Sequence, residues 1–100
     1  MANLQRTRLA LVGCGLISPA HIRAFGSQKE RLELVACCDR DKTKAESAVS
    51  LALGVMQEGD SISATTDFNA LLADETITAL DLCLPHHIHK EITLQALRAG

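Results

Sequence analysis

Three groups of residues in this sequence have types and spacings that could do chemistry. The first is Gly13-Cys14-Gly15, which directly follows the apolar run from Leu9 to Val12. The second is Asp39, an acid that ends another apolar run and lies 21 residues after Ser18. The third is the segment Pro85–His89, which holds three of the four histidines. Glycines let the backbone approach an anion closely, and an acid at this distance can accept hydrogen bonds from hydroxyl groups.

The glycine turn has the order of a pyrophosphate-binding turn. Gly13 permits a tight turn after the strand, and Gly15 removes a side chain where phosphates would lie. Free N–H groups around Leu16 and Ile17, with the dipole of the helix that follows, would hold the anion. Ser18 takes the third small-residue position of G-x-G-x-x-G, so the fingerprint is incomplete. The strand–turn–helix context and the spacing to the acid still favour a dinucleotide.

The acid at the end of the second apolar run is predicted to determine whether NAD or NADP binds. Asp39 can accept hydrogen bonds from both hydroxyls of the adenosine ribose. The alternative is a solvated acid that caps the next helix. Arg40 could stack on the adenine or pair with a 2′-phosphate. Because a carboxylate repels that phosphate, NAD is the expected cofactor, with NADP as the alternative through Arg40.

The histidine-rich segment is open to two functional interpretations. His86 and His89 stand three residues apart near a predicted helix start, a spacing that two metal ligands can share. The ligand count argues against a metal, and no metal site is predicted. The favoured interpretation is that Leu84, Pro85 and His86 line the nicotinamide–ribose end of the crevice. The alternative is a helix N-terminus with polar capping side chains.

The elements that must position these residues alternate between strand and helix. Apolar runs predict strands at 8–12, 32–38, 62–64 and 79–84. Helical spacing predicts helices from 18 to about 25, from 41 to 54, over 68–72 and from about 87 to 99. Ser18, Asp41 and either Thr66 or Asp67 are the predicted N-caps. This order predicts an α/β fold, a doubly wound, Rossmann-like parallel sheet with strand order 3-2-1-4. The crevice then lies where the first and fourth strands meet.

Composition limits the classes of protein. One hundred residues make one small domain at most. The net charge is −2 and the basic residues are scattered, which argues against nucleic acid or an anionic membrane as a partner. No signal peptide and no bilayer-spanning run are predicted. The four cysteines are expected to be reduced and buried in a cytoplasmic protein, with Cys37 and Cys38 on opposite faces of one strand.

Taken in order, these motifs resemble the amino-terminal part of the Gfo/Idh/MocA family of oxidoreductases. The resemblance is carried by residues 13–18 with His21, by residues 36–40, by Thr66-Asp67-Phe68 and by the stretch from Leu84 to Gly100. It implies a dehydrogenase that passes a hydride between a nicotinamide cofactor and a sugar, polyol or related small molecule. The cofactor positions that the resemblance implies are Gly13, Gly15, Leu16 and Ile17 for the pyrophosphate, Asp39 and Arg40 for the adenosine side, and Leu84, Pro85, His86 and His89 for the nicotinamide side.

The resemblance also implies parts that lie outside this chain. In the family, a Glu-Lys-Pro motif with a lysine that assists catalysis follows the Ala-Gly matched by Ala99-Gly100. A second, mostly β-sheet domain holds the substrate and usually builds the oligomer. We therefore expect residues 1–100 to be a truncated dinucleotide-binding domain, inactive alone and without a catalytic residue, whose full-length protein forms a homo-oligomer. The competing hypotheses are a non-enzymatic nucleotide-binding module, such as a redox sensor, and a methyltransferase-like domain that binds S-adenosylmethionine.

Overall fold

The computed structural model describes residues 6–57, 59–84 and 86–100, apart from the side chains of residues 86 and 87. Along these residues four strands alternate with four helices, as the sequence predicts. In chain order the elements are β1 Thr7–Val12, α1 Ser18–Ser27, β2 Leu32–Cys38, α2 Lys42–Leu53, β3 Ser63–Thr65, α3 Phe68–Ala73, β4 Ala79–Leu82 and α4 His86–Ala99.

The sheet has the order β3-β2-β1-β4 and all three pairings are parallel, which confirms the predicted topology. β1 is central: its last residue, Val12, pairs with Cys38 of β2 and with Leu82 of β4. Cys38 in turn pairs with Thr65 of β3. The four strands therefore end together, and the turns that follow them meet at one edge, where ligands bind in open α/β sheets.

Side chains alternate between the two faces of the sheet and build a core on each. One core joins Leu9, Leu11 and Cys37 to Ile22 of α1 and to residues of α2. The other joins Ala10, Val12 and Cys38 to Leu71 of α3, and α4 lies beside α3. Cys37 and Cys38 thus point to opposite faces, as predicted. This arrangement holds the carboxyl ends of the strands in fixed register.

The helix caps confirm two predictions and correct a third. Asp41 caps α2 by accepting from the N–H of Thr43 at 2.9 Å, and Asp67, rather than Thr66, caps α3 through the N–H of Ala70 at 3.1 Å. The prediction that Ser18 caps α1 is wrong. Ser18 is buried and is the first helical residue, and its hydroxyl donates to the carbonyl oxygen of Gly15 at 2.7 Å.

Three strands have different bounds from those predicted. β1 begins at Thr7 instead of 8, because Thr7 pairs with Leu32 at the start of β2. β4 ends at Leu82 instead of 84, because its neighbour β1 ends at Val12 and offers no further strand to pair with. β3 covers 63–65 instead of 62–64, because its partners are the last three residues of β2. Among the described helices, none is long and apolar enough to cross a membrane.

Candidate dinucleotide-binding site

The turn that follows β1 can be made only with glycine at its first position. Gly13 has φ +95°, and a Cβ atom there would lie 2.2 Å from the carbonyl oxygen of Cys83. Backbone hydrogen bonds close the turn on both sides: Gly13 N–H donates to Cys38 O and Cys83 N–H donates to Val12 O, each at 2.7 Å. The ends of β2 and β4 therefore press against the turn, and a side chain would push them apart.

Gly15 differs from Gly13, because no protein atom occupies the space where its side chain would be. A Cβ atom built at Gly15 meets no atom within 4 Å. Neither packing nor a left-handed backbone therefore demands glycine at this position. A glycine that the fold does not require fits a place where a ligand approaches the backbone.

The two residues after Gly15 present backbone donors to solvent. The side chains of Leu16 and Ile17 are exposed, the first completely. In the described part of the chain, neither N–H group donates to a protein acceptor. α1 begins directly afterwards at Ser18. Unpaired N–H groups at a helix start are the arrangement that binds phosphate.

Asp39 links the glycine turn to the start of α2. Its Oδ2 accepts from the N–H of Cys14 and its Oδ1 from the N–H of Asp41, both at 2.8 Å. The backbone N–H of Asp39 donates to Thr65 O at 3.1 Å. Each carboxylate oxygen keeps a second lone pair. The carboxylate is therefore held in place at the cleft and can still accept hydrogen bonds from two hydroxyls.

A cleft of about 330 Å³ runs along the carboxyl ends of the strands, within the roughly 300–1,000 Å³ of small-molecule pockets. Five of the predicted site residues line it: Gly13, Gly15, Asp39, Arg40 and Leu84. It lies between the ends of β1, β2 and β4, where the sequence predicts the crevice.

Sequence reasoning missed several residues of the cleft. Lys44, on the first turn of α2, adds a second cation beside Arg40. Thr66 and Phe68 line it from the β3–α3 connection, and Ile88 and Ile92 line it from α4. A signal for Lys44 was available, because a residue in the first turn after the predicted Asp41 cap must lie near the end of β2. Nothing in the sequence distinguishes Ile88 and Ile92 as cleft residues from residues of the core.

The remaining predicted residues lie elsewhere or outside the description. Leu16 and Ile17 flank the cleft on the turn. His89 is exposed on α4, where the Thr93 hydroxyl donates to its carbonyl oxygen at 2.7 Å. Pro85 and the side chain of His86 lie outside the described residues. Their nicotinamide-side roles stay predictions.

Three of the thiols around the site have pKa values raised above the ordinary value. All four cysteines are free, and Cys83 alone is half-buried while the other three are buried. A hydrogen bond with Cys37, followed by burial, raises the pKa of Cys14 far above its ordinary value. Burial raises the pKa of Cys38 to about 11 and that of Cys83 to about 12. Because the thiolate is the nucleophile, a raised pKa makes Cys14, Cys38 and Cys83 poor candidates for covalent catalysis.

The fold and the site together define a class of protein. A parallel sheet with order 3-2-1-4, a glycine turn before a helix, open N–H donors and an acid after β2 are the features of a dinucleotide-binding Rossmann domain. The family follows from comparison with known proteins. Residues 7–100 match the Gfo/Idh/MocA family, described as "Oxidoreductase family, NAD-binding Rossmann fold", and the chain belongs to it.

Similar proteins are dehydrogenases. The chain is 30% identical over 93 residues to D-glucoside 3-dehydrogenase of Escherichia coli, covering 93% of this chain and 24% of that protein. It is 26% identical over 100 residues to inositol 2-dehydrogenase/D-chiro-inositol 3-dehydrogenase of Lactiplantibacillus plantarum, covering 100% and 27%. The chain spans about a quarter of the length of these curated relatives.

A solved structure supports the same family. The WlbA dehydrogenase of Bordetella pertussis, in complex with NADH and UDP-GlcNAcA, superposes with a TM-score of 0.78 at 30% identity. The match covers 96% of this chain and 27% of that chain. The family assignment favours a dinucleotide over S-adenosylmethionine as the ligand of this class of fold.

Proposed function

We propose that this chain is the cofactor-binding part of an NAD-dependent dehydrogenase that acts on a sugar, a polyol or a related small molecule. The observation that carries the proposal is the joint geometry of Asp39 and the glycine turn. The acid is hydrogen-bonded at 2.8 Å to the turn residue Cys14, so one rigid unit offers both a ribose acceptor and open phosphate donors. When bound, the nicotinamide ring supplies the hydride donor or acceptor.

The proposed placement of the cofactor follows the cleft. The N–H groups of Leu16 and Ile17, with the open side of Gly15, receive the pyrophosphate. Asp39 accepts the adenosine ribose hydroxyls. Arg40, which also lines the cleft, covers the adenine. The nicotinamide half extends toward Leu84 and the start of α4.

Preference for NAD over NADP follows from charge. The Asp39 carboxylate stands where a 2′-phosphate would lie and repels it. Arg40 and Lys44 line the same cleft and partly offset that repulsion. We propose that NADP is accepted more weakly than NAD rather than rejected.

The substrate, the oligomer and the catalytic lysine belong to a longer protein in this proposal. In this proposal residues 1–100 bind the cofactor, and hydride transfer needs the longer protein. We further propose a cytoplasmic location, since the four cysteines are free and a reducing compartment keeps them so. The alternative of a non-enzymatic nucleotide sensor makes the same binding prediction, and only turnover by a longer protein separates the two.

The first test is the substitution Gly15→Ala. The added methyl group meets no protein atom within 4 Å, so the fold should be unaffected while the ligand loses its closest approach to the backbone. We expect NADH affinity to fall by about tenfold or more, which is about 1.4 kcal/mol. NADH fluorescence measures binding with little background, since the chain has no Trp and no Tyr.

Gly54→Ala is the matched control. Gly54 ends α2 away from the cleft, and a Cβ there has ordinary contact at 3.4 Å with Leu51 O. This variant should bind NADH like the parent. Equal affinity of the Gly15→Ala variant and the parent, with circular dichroism showing both folded, would remove the pyrophosphate assignment.

A further inference from the structure

Three side chains with metal-ligating atoms meet where α1 passes β4. They are His21 of α1, Asp81 of β4 and Cys83 just after β4, and their ligand atoms all lie within 4.8 Å of one another. His21 Nδ1 stands 2.6 Å from Asp81 Oδ2. The Cys83 thiol donates to the other carboxylate oxygen, Oδ1, at 3.7 Å. One carboxylate therefore bridges an imidazole and a thiol.

The position of Asp81 is unusual for a charged residue. Its strand neighbours on the same face, Ala79 and Cys83, pack against the core between the sheet and α1. Asp81 interrupts this apolar row, and only 23% of its side chain is exposed. A carboxylate placed there is costly unless it has partners. His21 and Cys83 are those partners.

The cluster is separate from the dinucleotide cleft although the two share a backbone. Neither His21 nor Asp81 lines the cleft. Cys83 touches the cleft, while its side chain packs on the α1 side of the sheet. About a third of the His21 side chain is exposed, at 36%, so solvent and ions reach the cluster.

We propose that His21, Asp81 and Cys83 form a binding site for a divalent cation of the zinc type. The ligands are His21 Nδ1, one carboxylate oxygen of Asp81 and Cys83 Sγ, with water in the fourth position. Nitrogen, oxygen and sulfur donors together suit zinc, which is tetrahedral in proteins. Softer cations are favoured over Mg²⁺ and Ca²⁺, which take oxygen ligands.

The geometry needs a small adjustment to hold the cation. Ligand atoms around a tetrahedral zinc ion lie about 3.5 Å apart, given metal–ligand distances of about 2.0–2.3 Å. The Cys83 Sγ–Asp81 Oδ1 distance of 3.7 Å is close to this value, but His21 contacts the other oxygen, Oδ2, so the carboxylate must also turn to present one oxygen to the cation. The His21–Asp81 pair must open from 2.6 Å by about 1 Å, as the cation replaces the hydrogen that they share. Sulfur binds as the thiolate, and its proton passes to solvent.

Sequence alone does not reveal this site. His21 and Asp81 are 60 residues apart, and the histidines that attract attention are those at 86–89. Only the parallel pairing of β1 with β4, together with the crossover of α1, brings the three side chains together.

Titration of this chain with Co²⁺ tests the proposal, with Zn²⁺ as the competitor. A cobalt–thiolate charge-transfer band in the near ultraviolet reports the sulfur ligand, and the lack of Trp and Tyr leaves that region clear. We expect one saturable site, whose band Zn²⁺ abolishes. Cys83→Ala should remove the band. The isosteric Asp81→Asn should weaken binding by more than about a hundredfold, beyond the roughly 10–100-fold that loss of a supporting contact costs.

Cys37→Ala is the control for loss of a buried thiol, since Cys37 lies in the same core but is not in the cluster. It should keep the band. His21→Gln and Asp81→Asn decide the matter if Cys83→Ala does not fold, as circular dichroism will show. The proposal is overturned if the parent shows no saturable band. It is also overturned if the band survives in Cys83→Ala, or if Asp81→Asn and His21→Gln bind Co²⁺ as tightly as the parent.

Discussion

Asp39 holds the glycine turn in place and also lines the proposed cofactor cleft. Its two oxygens accept the N–H groups of Cys14 and Asp41, and this fixes the glycine turn relative to α2. Each oxygen keeps a second lone pair, and Asp39 lines the cleft, where ribose hydroxyls are proposed to bind. The sequence alone left two interpretations open, a ribose acceptor and a helix cap. The structure gives the capping role to Asp41, and Asp39 lines the cleft, where its ribose role stays a proposal.

Asp39→Asn should change the choice of cofactor. The amide keeps the shape of the side chain and removes the negative charge that repels a 2′-phosphate. It also replaces one acceptor oxygen by a donor. We expect NADH affinity to fall about tenfold or more, in line with the roughly 1.5–3 kcal/mol of a hydrogen bond to a charged group. NADPH affinity should fall less or rise, and fluorescence titration with both cofactors measures the ratio.

Asp41→Asn is the matched control, because it removes a charge two residues away at a position that does not line the cleft. Asparagine is also a good N-cap, so α2 should remain intact. The ratio of NADH to NADPH affinity should stay at the parental value. If Asp39→Asn weakens both cofactors equally, the ribose assignment fails.

At the scale of elements, the alternation of strand-like and helix-like segments in the sequence was sufficient to predict the order and topology of the fold. Apolar runs of strand length separated by helical spacing leave few right-handed arrangements. The bounds were harder to predict, because a strand ends where its neighbour ends. β4 could extend past Leu82 only beside a longer β1. The prediction that Ser18 is an N-cap was also wrong. Its hydroxyl donates to Gly15 O, and α1 begins at Ser18 itself, one residue earlier than if Ser18 were the cap.

The cap of α2 offers a test at this scale. Asp41 accepts from Thr43 N–H and is exposed, so its contribution is local. Asp41→Ala should lower the free energy of unfolding by about 1 kcal/mol, the usual cost of losing an N-cap. Urea denaturation followed by circular dichroism measures it. Ser47→Ala, at an exposed interior position of the same helix, should cost nothing, because Ala has the higher helix propensity. Equal effects of the two variants would contradict the capping assignment.

Across the whole molecule, the cleft and the ion pair between Arg6 and Asp60 lie at opposite ends of the sheet. The cleft lies at the carboxyl ends of the strands, where N–H donors stay open. At the amino ends, Arg6 donates to both oxygens of Asp60 at 2.9 and 3.0 Å, and to the carbonyl oxygens of Leu32 and Lys29. This one guanidinium joins the start of β1 to two connecting segments. No local pattern predicts it, since Arg6 and Asp60 are 54 residues apart.

The Arg6–Asp60 pair should make the stability of the protein depend on pH in acid. Both side chains are largely buried, and hydrogen bonds from Arg6 hold the pKa of Asp60 below its ordinary value of about 3.9. A lowered folded-state pKa stabilises the protein above that ordinary value, and the contribution is lost as the pH falls through the folded-state pKa. Asp60→Asn should therefore cost about 2 kcal/mol at neutral pH, the size of a charge-assisted hydrogen bond.

Urea denaturation of the parent and the Asp60→Asn variant at a series of pH values tests this dependence. The stability difference between them should hold from neutral pH down to about 4 and shrink below it, because protonated Asp60 no longer pairs as an ion. Glu46→Gln, an acid-to-amide change at an exposed position of α2, should match the parent throughout. A difference that stays constant through the acid range would mean that Asp60 acts through its shape and neutral hydrogen bonds, and that its charge does not hold the amino end of the sheet together.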